Sequence, residues 1–115
     1  VGHYENLNAG INMSYCNTDD VKNVLQIDLA ETKFDAQLAD CITSAGGLVD
    51  GFLKPKLLTV PAAVPQLIRD ATKYFAAWMF RRFADPVGAE AFWVEANRFL
   101  EAYVEAEFQA YVGCV

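Results

Sequence analysis

The side chains of this 115-residue chain that could do chemistry are the adjacent acids Asp19 and Asp20, the lone acid Asp50, the single histidine His3 and the cysteines Cys16, Cys41 and Cys114. Neighbouring carboxylates can share a metal ion, and a buried carboxylate with a displaced pKa can act as general acid or base. Asp19 and Asp20, however, directly follow Asn17-Thr18, and acids there are explained by the positive end of a helix dipole. Asp50 falls at the margin of an apolar stripe, where a salt bridge to Arg81 or Arg82 accounts for it. His3 has no neighbouring ligand set, and three widely spaced cysteines without a CxxC pair indicate neither a zinc site nor a disulfide framework. Cys41 reads as a small buried hydrophobe. No glycine-rich phosphate loop, HExxH, GxSxG or EF-hand spacing is present, and without a histidine in the folded part Ser-His and Cys-His catalysis lack their base. The chain is expected to be no enzyme and to hold no cofactor or metal, a carboxylate-dependent activity at Asp50 being the distant alternative.

The elements that position these residues read as helices. The central one spans Val64 to Pro86: Leu67, Ile68, Ala71, Tyr74, Phe75, Trp78 and Met79 fall on one stripe at 100° per residue, opposite Arg69, Asp70, Lys73 and Arg81. Pro65 suits its first turn, and Asp85-Pro86 ends it. Phe80 falls on the charged side and Arg82 within the stripe, so each is either a packing detail or a contact with another chain. A second helix, opening at Thr32 with Asp35 three residues on as a near capping box, carries the longest stripe: Phe34, Leu38, Cys41, Ile42, Ala45, Leu48, Val49, Phe52 and Leu53. Gly46, Gly47 and Gly51 interrupt it, and each calls for a close approach of another helix backbone or a bend. A short first helix follows Asn17-Thr18 with Val21, Val24 and Leu25 as its apolar edge. The last begins near Ala89 after a turn at 85–88, with Phe92, Ala96, Phe99, Leu100, Tyr103, Ala106 and Ala110 on one face. Glu107 in the middle of that face implies that the final turns leave the core and free Phe108, Tyr111 and Val112 for other contacts. The expected bounds are roughly 18–26, 32–53, 65–84 and 89–110: an all-α bundle of about four helices, with a proline-containing loop between the second and third. In that loop, 54–63, Leu57, Leu58 and Val60 either fold back over the core or meet a partner.

Composition bounds the rest. A single domain is expected, residues 1–14 forming a tail or extended arm ahead of a helical domain at 15–112. At 54% apolar and 21% charged residues the chain can bury a core, and no apolar run approaches the roughly 20 residues that cross a bilayer. A soluble, intracellular protein without a membrane partner is expected. A net charge of −6 lacks the footprint of a nucleic-acid binder but suits a surface past which DNA slides.

Taken in order, Tyr15, Thr18-Asp19-Asp20-Val21, Leu25, Leu48-Val49-Asp50-Gly51-Phe52-Leu53, a proline-containing loop, Val64-Pro65-Gln66-Leu67-Ile68, an aromatic and alanine-rich helix and Arg81-Arg82 resemble the small helical head-tail connector, or adaptor, proteins of tailed bacteriophages and prophages. The resemblance covers about residues 15 to 105. It implies a homo-oligomeric ring, dodecameric in the family, docked under the portal protein in the virion after assembly in the bacterial cytoplasm, extending the DNA channel and meeting a tail or stopper protein. It implies no catalytic residues. Leu57, Leu58, Val60, Phe80, Arg82, Phe108 and Tyr111 are then the expected oligomer or partner contacts. Asp19, Asp20, Glu95, Glu101, Glu105 and Glu107 are the expected acids facing a channel that passes DNA without binding it. The N-terminal extension and the three glycines depart from the family pattern. The competing expectation is a helical protein-interaction module of a bacterial regulatory or toxin-antitoxin system, forming a small dimer and contacting DNA through Arg69, Lys73, Arg81 and Arg82.

Overall fold

Asn17 opens the first helix by a reciprocal cap. The Asp20 N–H donates to Asn17 Oδ1 at 2.9 Å and the Asn17 N–H donates to Asp20 Oδ2 at 3.0 Å, which satisfies two of the amides a helix start leaves free. The computed structural model describes residues 14–113, with side chains through residue 110. Expectations for residues 1–13, including His3, for the side chains of Tyr111 and Val112, and for Cys114 lie outside the described residues. Within them are α1 (Thr18–Leu25), α2 (Asp35–Leu53), a 3₁₀ turn (Lys54–Lys56), α3 (Gln66–Arg81) and α4 (Pro86–Gly113), and no strand. The protein is a small all-α bundle.

The helix around which the rest packs is α3, which touches α1, α2 and α4. Ile68, Ala71, Thr72, Phe75, Ala76 and Ala77 of α3 are buried, a band wider than a single stripe because the helix has neighbours on both flanks. Thr72 is tolerated there because its hydroxyl donates to the Ile68 carbonyl at 2.7 Å. From α2 come Leu38, Ile42, Ala45, Val49 and Leu53, and from α4 come Ala96, Leu100 and Tyr103. Aromatic pairs lock α3 to α4: Tyr74 stacks on Phe99, Phe75 meets Trp93 edge-on, and Trp78 lies 4.5 Å from Trp93 between ring centres. The described residues measure 50 × 43 × 21 Å, a flat slab.

Several boundaries differ from the sequence expectation, each for a local reason. α2 starts at Asp35 rather than Thr32, with Phe34 in the cap position and no side-chain cap. Residues 28–34 are instead drawn into turns by Lys22, whose ammonium donates to the carbonyls of Leu29 (3.2 Å) and Glu31 (2.6 Å) and reaches the Asp35 carboxylate at 2.7 Å. α3 has Pro65 as its cap residue and ends at Arg81, the amides of Ala84 and Asp85 turning back to the Arg81 carbonyl. No free turn at 85–88 precedes α4. Pro86 is already its first residue, because Asp85 Oδ1 accepts from the Gly88 N–H at 2.9 Å and a proline at the first helical position loses no needed donor. The connector after α2 coils once as the 3₁₀ turn around Pro55, then runs irregularly from 57 to 65.

The glycines of α2 also part from expectation. A Cβ on Gly46 would lie 3.7 Å from the Tyr15 ring, an ordinary contact with a side chain and not with a helix backbone, and around Gly47 and Gly51 there is open space. Cys41 is half-buried, whereas Cys16 is buried.

Candidate functional site

α4 is 28 residues long and α3 is 16. At 1.5 Å per residue that is about 42 Å against about 24 Å, so an antiparallel α4 outruns α3. Burial along α4 ends accordingly: Leu100 and Tyr103 are buried, Val104 is half-buried, and residues 105–110 are exposed. The overhang passes the C-terminal end of α2 and the connector, and between them lies a groove of about 730 Å³ lined by Phe52, Leu57, Leu58, Val104 and Phe108, with Lys56, Glu101, Glu105, Glu107 and Gln109 around them.

Leu57 stands at the lip of this groove and is 92% exposed. It occupies the left-handed region (φ 59°, ψ 32°) because the Leu57 amide closes the 3₁₀ turn on the Lys54 carbonyl at 2.9 Å, a conformation that a residue with a Cβ adopts at a cost of about 1–2 kcal/mol. Phe108, on the opposite wall, is 66% exposed. Lys56 lies 4.2 Å above the Phe52 ring and covers part of the floor. Leu57 and Leu58 also border a second hollow, of about 670 Å³, with Tyr15, Asp50, Lys54, Thr59 and Val60.

The groove thus gathers residues expected to serve two separate purposes: the contact residues Leu57, Leu58 and Phe108 with the acids Glu101, Glu105 and Glu107. Val60 lines only the neighbouring hollow and is half-buried. Tyr111 lies in α4 by its backbone alone. The remaining candidates are elsewhere. Phe80 is half-buried, its ring meeting Phe34 at 5.3 Å edge-on. Arg82 lies against Trp78 (4.6 Å) and Phe83 (4.8 Å). Asp20 is committed to the α1 cap and sits 3.7 Å from Arg69, Asp19 is exposed, and Glu95 pairs with Arg98.

Asp50 makes no salt bridge to Arg81 or Arg82. It accepts a 2.6 Å hydrogen bond from the Tyr15 hydroxyl, while Arg81 donates to the Leu25 carbonyl at 3.4 Å. Burial and the Asp50 carboxylate both push the Tyr15 phenol well above its usual range. Burial first, and Asp20 second, push the Cys16 thiol up to about 12 against the opposing charges of Arg69 and Lys73. Both groups are therefore neutral at pH 7 and suited to structure rather than nucleophilic attack. Among the described residues no group of three or more His, Cys, Asp or Glu could hold a metal ion, and no helix is long and apolar enough to cross a membrane.

A second exposed apolar patch was not anticipated. Phe83 is 83% exposed and Val87 is 85% exposed, both at the α3–α4 turn beside Arg81 and Arg82. Its signal in the sequence is an aromatic residue between a basic pair and a proline, outside every helical stripe. No family model, curated protein or solved structure matches this chain.

Proposed function

We propose that this chain is a structural connector subunit of a tailed phage or prophage virion, forming a homo-oligomeric ring beneath the portal that extends the DNA channel and receives a tail or stopper protein. The observation that carries this reading is the open apolar groove between the connector and the overhang of α4. Apolar side chains as exposed as Leu57 and Phe108 are costly to leave in water beside each other, and an assembly contact is the ordinary reason for keeping them. The sequence resemblance supplies the identity of the assembly, and the net charge of −6 supports a lumen that does not hold duplex DNA. Electron microscopy of the protein mixed with the portal protein encoded beside its gene tests it. A second ring of density under the portal is expected, and a portal that never gains one rules the reading out.

The regulatory alternative requires a free basic surface. Arg69 sits 3.7 Å from Asp20, Lys73 lies 3.1 Å from Asp70, Arg81 bonds the Leu25 carbonyl and Arg82 covers Trp78. Three of those four cations, Arg69, Lys73 and Arg81, have polar partners within the chain, which favours the connector reading over direct DNA contact.

A further inference from the structure

The two exposed apolar patches differ in charge and stand at opposite ends of α3. The groove, before the start of α3, is edged by Glu101, Glu105 and Glu107 against Lys56. The patch at Phe83 and Val87, after the end of α3, adjoins Arg81 and Arg82, and its own acid Asp85 is turned onto the Gly88 amide; Glu90 follows a turn further along α4. Arg82 keeps a buried Nε that donates to nothing among the described residues, so its guanidinium is held by ring faces alone. The length of α3, about 24 Å, separates the patches and prevents them from meeting within one chain.

We propose that the groove receives the Arg82–Val87 knob of a second copy of this chain. Phe83 enters between Leu57 and Phe108, and Arg82 approaches the glutamates of the rim. Because the two surfaces differ, the contact is heterologous: each subunit offers a knob to one neighbour and a groove to the other, and a repeated contact of this type closes into a ring or runs on as a filament. The inference deepens the ring reading above and rests on the same groove. In this arrangement Glu101, Glu105 and Glu107 belong to the subunit contact, which leaves Asp19, Asp20 and Glu95 for a channel lining.

Sedimentation of the full chain across a concentration series to the millimolar range is the test. The wild type is expected to self-associate, more weakly as salt rises. Phe83→Glu, which spoils the knob, and Leu57→Glu, which spoils the groove, should each weaken self-association by about tenfold or more, with circular dichroism confirming that both remain helical. Mixed together, the two variants should form a one-to-one dimer and nothing larger, since the only intact pairing left is the Leu57→Glu knob in the Phe83→Glu groove. Should either variant fail to fold, Val87→Glu and Phe108→Glu take its place in the same experiment. A wild type that stays monomeric throughout, or a mixture that gives no dimer, overturns the proposal. Portal binding is read separately by microscopy, so a failure of the connector reading and a failure of this contact are distinguishable.

Discussion

The Lys22 ammonium reaches the Asp35 carboxylate at 2.7 Å from a side chain that is 2% exposed, and so ties the middle of α1 to the start of α2. With the carbonyls of Leu29 and Glu31 also bound, a single buried cation organises the whole α1–α2 link. Lys22→Ala should cost about 2–4 kcal/mol in urea unfolding, because it orphans two carbonyls and leaves a cavity. Asp35→Asn should cost less, about 1–2 kcal/mol, since the carbonyls still receive the ammonium and the half-exposed Asp35 is partly satisfied by water.

Stability should decline on the alkaline side in two steps. Cys16 ordinarily titrates near 9 and is pushed up to about 12 in the fold, and Tyr15 is raised above its ordinary 10. A group with a raised folded pKa contributes its stability in full below its unfolded pKa and loses it as pH climbs toward the folded one. The fall should therefore begin near pH 9 and steepen above pH 10, amounting to a few kcal/mol, on the order of 1.4 kcal/mol for each unit crossed by one group. Cys16→Ala should make the fall that begins near pH 9 shallower without abolishing it, since burial also raises the Cys41 thiol, and the change is seen in denaturant midpoints at successive pH values.

Gly47→Ala and Gly51→Ala should each raise stability by about 0.5–1 kcal/mol, since both sit in α2 with open space where a Cβ would go. Gly46→Ala should also be tolerated, with the Tyr15 ring at ordinary contact distance. If either of the first two variants is stable as a subunit but fails to assemble, that glycine is kept for a close approach between chains.

Leu57→Gly should leave thermal stability unchanged or raise it by up to about 1 kcal/mol, because glycine accepts the left-handed backbone freely. Phe80→Ser, by contrast, removes a ring packed on Phe34 and should cost about 1–3 kcal/mol. Thermal melts of the two variants side by side separate a surface leucine from a packed phenylalanine.

Duplex DNA should show no measurable affinity for the isolated chain at physiological salt, by fluorescence anisotropy, given the net charge of −6 and the polar partners that Arg69, Lys73 and Arg81 have within the chain. Tight binding would return the regulatory reading to first place.

The fold was largely legible because α2 and α3 carry long apolar stripes whose period admits only a helix, and because Asn17-Thr18 followed by two acids marks a helix start. What escaped was set by contacts distant in sequence. Lys22 looks like a solvated charge, yet it follows Val21 and precedes Leu25 by one turn on the apolar side of a short helix, and only the folding back of 28–34 gives its ammonium partners. Tyr15 and Cys16 are buried although they precede any periodic segment, because Tyr15 lies over Gly46 and bonds Asp50. The exposed Leu57 and Phe108 and the half-buried Leu58 were individually readable as surplus apolar groups. Their convergence with three glutamates was not, since it depends on how far α4 outruns α3.

That overhang also fixes where the molecule can yield. Side chains at 105–110 are all exposed, so their helix is held mainly by propagation from the anchored part at Leu100 and Tyr103, and weakly supported helix ends are marginal in water. The end of α4 is therefore a spring whose stiffness is supplied from outside. Amide exchange there should be fast in the lone subunit and slow sharply when the groove is filled, so that occupancy at one end of the slab can be read as the loss of a single soft mode.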